Sequence, residues 1–343
     1  MIFIYIILVI FLFGLLIALH EFGHFITAKL SGVRVNEFSI GMGPAILKKQ
    51  VGDTLYALRI IPLGGYCAME GEDGENTTSD DSFQTKPILS RIIIIAAGSI
   101  MNLIVGVLIL ACVFAPVEAW TSTTLTTVDE YVDELLPGDK IVKIDDYRVI
   151  LFNDVPMQLE RGRNKPNYDI TVLRNGEKIF LEDVELKKHE VSYNGQKQMG
   201  YGLSFEIEES SLSGKTKFVF LNAYNLVRLV KVSLVDLITG NAGIKDLSGP
   251  IGIGSMMVDT AKQSFSSLWY LLALVSINLG IMNLLPIPAL DGGRLLFLLI
   301  ELIRRKPISP KYESWVHAAG FILLILLMVF VTFNDIFKLF IGG

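Results

Sequence analysis

Two cysteines in 343 residues leave no disulfide framework to build on. Cys67 lies in a Gly-rich stretch and Cys112 inside an apolar run, so both read as structural thiols. Charge of one sign is also missing. The chain has 30 Lys and Arg against 35 Asp and Glu, a net charge of -5. That balance offers no basic footprint, so nucleic acid is not an expected partner. Met1 to Leu19 carries no charged side chain at all. A secretory signal would need a basic start and a small-residue cleavage site, and neither is present. The N-terminal run therefore reads as retained. Lys and Arg are absent again from residues 117–139. There are only 4 histidines, and His20 and His24 fall within one short stretch.

What the chain has in abundance is apolar surface: 51% of its residues are hydrophobic. That is too apolar for an ordinary soluble domain and fits a chain that lies partly in a membrane. A helix over Met1–Leu19 rises about 28 Å, close to the ~30 Å hydrocarbon core. The first helix is expected from near Ile4 to Leu30, ended by a turn at Ser31-Gly32. Residues 33–65 alternate and are punctuated by Gly41, Gly43, Pro44, Pro62, Gly64 and Gly65, which predicts short strands. They form either a plain capping sheet or a segment dipping into the membrane edge, where an exposed strand could take an extended substrate. An acidic, turn-rich loop follows over 71–81. A second helix is expected over 92–115, with Gly98, Ser99, Asn102 and Gly106 permitting close packing. Asn102 either orients a neighbouring site or satisfies a structural hydrogen bond.

Residues 117–207 are different in kind. Charge returns, and β-prone segments at 123–128, 140–144, 169–174 and 179–186 alternate with turns such as Leu136-Pro137-Gly138-Asp139. This is a small soluble domain, and the charged surroundings of His189 make it a surface residue. The boundaries are a membrane half at 1–115, the soluble domain at 116–207 and a second membrane half at 208–343. Residues 215–238 read as an amphipathic helix on the membrane surface, and 241–254 as a tight loop. The third membrane segment begins near Ser267 and is broken by Pro286 and Pro288. Asp291-Gly292-Gly293 follows, and helix resumes from Leu295. A last helix is expected over 318–333. Basic residues cluster at 304–311 and through 29–91. The positive-inside rule then puts both loops in the cytoplasm, and the termini and soluble domain outside. His20, His24 and Asp291 come to one level near the cytoplasmic side.

The chemistry starts from His20-Glu21-Phe22-Gly23-His24. On a helix, residues at i and i+4 share one face, so the two imidazoles can bind one metal ion. Glu21 stands beside them, placed to act as a base on water that the metal activates. Ionisable groups at membrane depth are costly and mark a functional site by default. A catalytic zinc takes three protein ligands and an open position. Asp291 is the first candidate for the third, His317 the second; Asp291 could instead cap the resumed helix. Peptide hydrolysis suits this set. No Ser, Cys or Lys stands with an evident base, so a covalent route is not favoured.

These stretches resemble the site-2 protease family of intramembrane zinc metalloproteases. The resemblance rests on His-Glu-Phe-Gly-His at 20–24 and on Asn283-Leu284-Leu285-Pro286-Ile287-Pro288-Ala289-Leu290-Asp291-Gly292-Gly293. It extends to Gly64-Gly65-Tyr66, Gly98 with Asn102, Gly249-Pro250-Ile251 and Phe333-Asn334-Asp335, and is nearest to the bacterial branch that cleaves anti-sigma factors. It implies a multi-pass α-helical membrane protein with four transmembrane helices and a membrane-associated β-hairpin sheet. It also implies an inserted extracytoplasmic PDZ-like α+β domain, through Leu136 to Ile144. Zn2+ would sit on His20, His24 and Asp291, with Glu21 as base. Asn283, with Pro286 and Pro288, would help hold the substrate, and Gly64, Gly65 and Tyr66 would belong to the β-loop that pairs with it. The substrate would be a single-pass membrane protein of the anti-sigma-factor kind, trimmed first by a site-1 protease, in a bacterial plasma membrane. The sequence departs from the pattern in three ways. It has room for one PDZ-like domain, Ser99 stands where many relatives have Pro, and the residues before Leu136 are atypical, so the domain could be a size filter. Two other classes fit fewer features. A metal or ion transporter would show repeated halves, which are not evident. A PDZ-bearing scaffold has no use for an intact His-Glu-x-x-His.

Overall fold

Apolar runs in the chain become long helices, and the alternating runs between them become sheet. The computed structural model describes residues 2–72, 79–128, 132, 134–161, 165–193, 196–240, 243 and 248–341. Parts of the expected loops at 71–81 and 241–254 lie outside the described residues. The chain divides into two units, Met1–Val113 with Leu226–Gly343, and Phe114–Asn225.

In the first unit, α1 (Ile2–Leu30) ends at Gly32, whose φ of 68° closes the turn. The short strands expected over 33–65 are instead two long ones, β1 (Val35–Val51) and β2 (Thr54–Met69), paired antiparallel around Gly52. The ribbon also curls onto itself. Glu37–Ile40 has partners on both sides, in Gly65–Ala68 and in Leu55–Leu58. Gly41, Gly43 and Gly64, all at positive φ, lie in the irregular stretches of this ladder. They bend the strands without ending them, which is why the punctuation read as strand breaks.

A 3-10 turn at Phe83–Thr85 leads into α2 (Ile88–Phe114), which starts earlier than expected, directly after Pro87. It lies tight against α1: a Cβ added to Gly23 would come within 2.4 Å of the Ala97 carbonyl oxygen.

The second unit is built on a sheet. Its elements are β3 (Ala119–Val128), β4 (Lys140–Ile144), β5 (Tyr147–Arg148), α3 (Asp154–Arg161), β6 (Asn167–Arg174), β7 (Glu177–Glu185), β8 (His189–Tyr193), β9 (Gln196–Gly200) and β10 (Leu203–Glu209). The main sheet runs β10-β3-β4-β6-β7, β5 pairs with β4, and β8 and β9 form a separate hairpin. Leu125, Ile141, Ile144, Tyr168, Ile170, Val172 and Val184 fill the core under α3. Asp139 is fully buried, yet it is paired with one guanidinium and one backbone amide. The Arg174 guanidinium donates to both carboxylate oxygens at 2.7 Å, and the Leu136 N–H donates at 2.9 Å. Burial alone would raise this carboxyl; Arg174 and the Leu136 amide overcome it and hold the group below the usual carboxylate range.

Asp139→Asn should therefore destabilise this unit by about 2–3 kcal/mol at neutral pH, because Arg174 loses its anion. A depressed carboxyl stabilises fully above its unfolded value of about 4 and loses that contribution as pH falls through its lower folded value. The difference between wild type and variant should shrink below about pH 4. Hydrogen-exchange protection of the β4 and β6 amides, corrected for intrinsic rates, reads it.

α4 (Leu212–Thr239) belongs to both units by its two ends. Beyond it, the expected loop over 241–254 gives way to a helix, α5 (Pro250–Gln263). Pro250 occupies its first turn, where the missing N–H costs nothing. Its N-terminus is capped from a distant helix: the buried Asp335 carboxylate accepts from the N–H groups of Gly249 (3.2 Å) and Gly252 (2.8 Å). α6 (Phe265–Leu284) follows, then the break, α7 (Asp291–Arg304) and α8 (Pro310–Ile341). α8 is longer at both ends than the expected 318–333. Val9, Leu12 and Leu16 of α1 join Met257, Val258 and Ala261 of α5 and Leu268 and Leu272 of α6 in one core.

Among the described residues, five helices are long and apolar enough to cross a membrane by length and composition: α1, α2, α4, α6 and α8. α4, expected on the surface, meets that measure as well.

Candidate metal centre

α1 carries His20 and His24 one turn apart and buried. Their Nε2 atoms lie 3.2 Å from each other. Asp291 Oδ2 is 3.1 Å from His20 Nε2 and 3.4 Å from His24 Nε2. The three residues form a cluster able to hold a metal ion, their ligand atoms all within 4.8 Å of one another. Asp291 is the first helical residue of α7 and Leu290 is the N-cap, so the capping alternative does not describe this side chain. The glycines after it have a steric reason. A Cβ on Gly292 would sit 2.0 Å from the Leu285 carbonyl oxygen, so the chain can fold back over the break only with glycine there. His317 goes elsewhere: its Nδ1 accepts the Ala289 N–H at 3.0 Å, and it is not part of the cluster.

α2 backs the two imidazoles with three residues spaced four apart, on one face. His24 Nδ1–H donates to the Ile94 carbonyl at 2.9 Å. A carbonyl can only accept, so Nδ1 carries a proton, and in the neutral ring that leaves the Nε2 lone pair for a metal. The buried Asn102 amide lies 3.2 Å from His20 Nδ1, and its backbone carbonyl accepts the Ser276 hydroxyl at 2.8 Å. Between them is Gly98. A Cβ there would come 2.2 Å from His24 Nε2 and 2.8 Å from His20 Nε2. Asp291 Oδ2 is buried with no hydrogen bond. Two imidazole nitrogens, a carboxylate oxygen lacking a hydrogen-bond partner and a flank without a side chain fit a three-ligand zinc site with an open position.

Glu21 is half-buried beside this cluster, with the Cys67 backbone amide of β2 next to its carboxylate. Gly65 runs close by: its missing Cβ would lie 3.3 Å from Glu21 Cγ and 2.7 Å from the Ser39 carbonyl oxygen. Arg59 ties this stretch together, donating to Glu37 Oε1 (2.6 Å), the Tyr66 hydroxyl (2.7 Å) and the Ser39 hydroxyl (2.8 Å). The hydrogen bond to Glu37 raises the Arg59 value further, and burial with Glu37 nearby raises that of Tyr66. Burial, reinforced by Glu21, pushes the Cys67 thiol up to about 12, which leaves it inert as a nucleophile. Asn283 lies half-buried in the last turn of α6, and Pro286 and Pro288 in the break that follows. Gly64 lies against Met42 in β1.

Sequence reasoning could not find the Ile94 carbonyl or the Cys67 N–H, because backbone groups carry no residue signature. Gly98 left a signal only as a small residue.

Residues 8–327 match the family described as Peptidase family M50. The chain belongs to that family, the site-2 proteases. A provisionally named zinc metalloprotease of Clostridium perfringens is 36% identical, covering 97% of this chain and 98% of its own. The regulator of sigma-W protease of Bacillus subtilis is 29% identical over 96% of this chain and 97% of its own. A Geobacillus kaustophilus zinc metalloprotease is also 29% identical, over 96% of each chain. Membership of peptidase family M50, among relatives named as zinc metalloproteases, makes the chain a zinc metalloprotease. Its apolar helices make it an integral membrane protein.

Proposed function

We propose that this chain is an intramembrane endopeptidase holding one zinc on His20 Nε2, His24 Nε2 and Asp291, and that it cuts within the membrane-spanning segment of single-pass proteins. The observation that carries the reading is the meeting of α1 and the start of α7 at one cluster of ligand atoms. When bound there, zinc lowers the pKa of water towards neutrality and polarises a scissile carbonyl. Glu21 takes the proton of the attacking water and delivers it to the leaving amine, with the Cys67 amide beside its carboxylate. Ile94 and Asn102 hold the imidazole rings in orientation. Gly64, Gly65 and Tyr66, on the sheet segment beside Glu21, align an extended substrate, with Asn283, Pro286 and Pro288 on its other side.

The Bacillus relative's name, regulator of sigma-W protease, favours a substrate of the anti-sigma-factor kind, trimmed first by a site-1 protease. Four helices cross the membrane in this reading: α1, α2, the α6–α7 unit and α8. α4 lies on the surface, because Lys215, Lys217, Arg228, Lys231 and Asp236 recur along it. Residues 116–207 form a PDZ-like domain outside a bacterial plasma membrane with both termini, and the metal centre lies towards the cytoplasm.

Purified protein in detergent, given a transmembrane peptide, should cleave it within the apolar segment. A chelator should stop cleavage and added zinc restore it. Cleavage confined to the polar flanks, or indifferent to the chelator, would overturn the reading.

A further inference from the structure

We infer that His317, on α8, is a positioning residue that sets the backbone presenting Asp291. The inference rests on the reading of Asp291 as a metal ligand. Between α6 and α7 the chain must turn through the break at 285–290, and Ala289 does so at φ 75°. That left-handed conformation is unfavourable for a residue with a Cβ, and it persists only where its surroundings hold it. Ala289 is two residues before Asp291. Its N–H donates to His317 Nδ1 at 3.0 Å. A backbone N–H can only donate, so Nδ1 supplies a lone pair and the ring is neutral.

One turn along the same face of α8, Gly320 packs against Pro288. A Cβ on Gly320 would come within 2.4 Å of Pro288 Cβ and 2.7 Å of the Pro288 carbonyl oxygen. α8 therefore touches the break twice in adjacent residues, once by close approach and once by a directed acceptor. Without the acceptor, the turn keeps only the longer Leu290 N–H bond to the Ile287 carbonyl (3.2 Å) and the close approach of Gly320, and Ala289 can return to negative φ. The first turn of α7 would then start from a different direction, and the Asp291 carboxylate would leave the two imidazoles. His317 thus acts on the metal through the backbone, not as a ligand.

Zinc affinity of the full-length protein in detergent, measured by competition with a chelator, tests this. His317→Leu should weaken zinc roughly 10- to 100-fold, the range for residues that orient a ligand. His317→Gln, which keeps an acceptor, should stay closer to wild type. Ala289→Gly removes the penalty of positive φ, so the double variant Ala289→Gly with His317→Leu should recover much of the loss. In an Asp291→Ala background, His317→Leu should add no further loss. Wild-type affinity in His317→Leu, no recovery with Ala289→Gly, or a further loss in the Asp291→Ala background would each overturn the inference. Undiminished zinc binding by Asp291→Ala alone would overturn the ligand assignment and this inference with it, and is read separately from the other arms.

Discussion

Gly98→Ala should leave the protein unable to hold zinc. The added methyl has no room: it would lie 2.2 Å from one imidazole nitrogen and 2.8 Å from the other, well inside van der Waals contact. Those two nitrogens are the atoms proposed to face the metal. Neither ring can step aside cheaply. His24 is tied to the Ile94 carbonyl at 2.9 Å, and His20 lies against the Asn102 amide at 3.2 Å. α2 cannot retreat easily either, because Gly23 of α1 abuts the Ala97 carbonyl one residue before Gly98. Zinc affinity should fall on the order of 100-fold or more, and cleavage with it. Gly106→Ala is the control. It lies two turns along α2, where an added Cβ meets the buried Ile277 side chain at 2.5 Å and the Ala273 carbonyl oxygen at 3.3 Å, away from the imidazoles. It should perturb helix packing and keep the metal. If both variants lose zinc equally, tight packing of α2 explains the effect and the site does not. If Gly98→Ala binds zinc normally, the nitrogens do not face the metal as proposed.

The same residues show what could be read without coordinates. His20 and His24 at helical spacing were legible because the helix period is fixed and the surrounding run is apolar. Asp291 was legible because two prolines and two glycines announce a break, and a carboxylate at a break in a membrane helix is rarely idle. In the second unit, Lys140 to Ile144 reads as a strand and is one. The curled β1–β2 ribbon was not legible. Glycines that end strands in most contexts here bend a continuous ladder, and only the double pairing of Glu37–Ile40 reveals it. α5 is not legible because Gly252 and Gly254 lower helix propensity within it. The helix is held by tertiary contacts: a cap from Asp335 and a core shared with α1 and α6. His317 reads as an alternative ligand because it is one of 4 histidines and falls at the right end of a helix. Its actual partner is a backbone amide, and nothing in a sequence distinguishes the two.

Glu21→Gln should keep the metal and lose the reaction. Glu21 is outside the ligand cluster. Its side chain lies beside the Gly65 and Cys67 backbone of β2, and a glutamine of the same shape and with the same acceptor oxygen can keep that contact. What the amide lacks is a site for a proton at neutral pH. If Glu21 is the group that removes a proton from water and returns it to the departing amine, cleavage of a transmembrane peptide should fall roughly 10^2- to 10^4-fold. Zinc content and thermal stability should match wild type. The measurement pairs a single-turnover cleavage rate with metal analysis of the same sample. The split matters, because Gly98→Ala should lose both and Glu21→Gln only one. Cleavage at the wild-type rate would mean that another group carries the proton. Loss of zinc together with cleavage would mean that the carboxylate supports the metal and that its chemical role was misassigned.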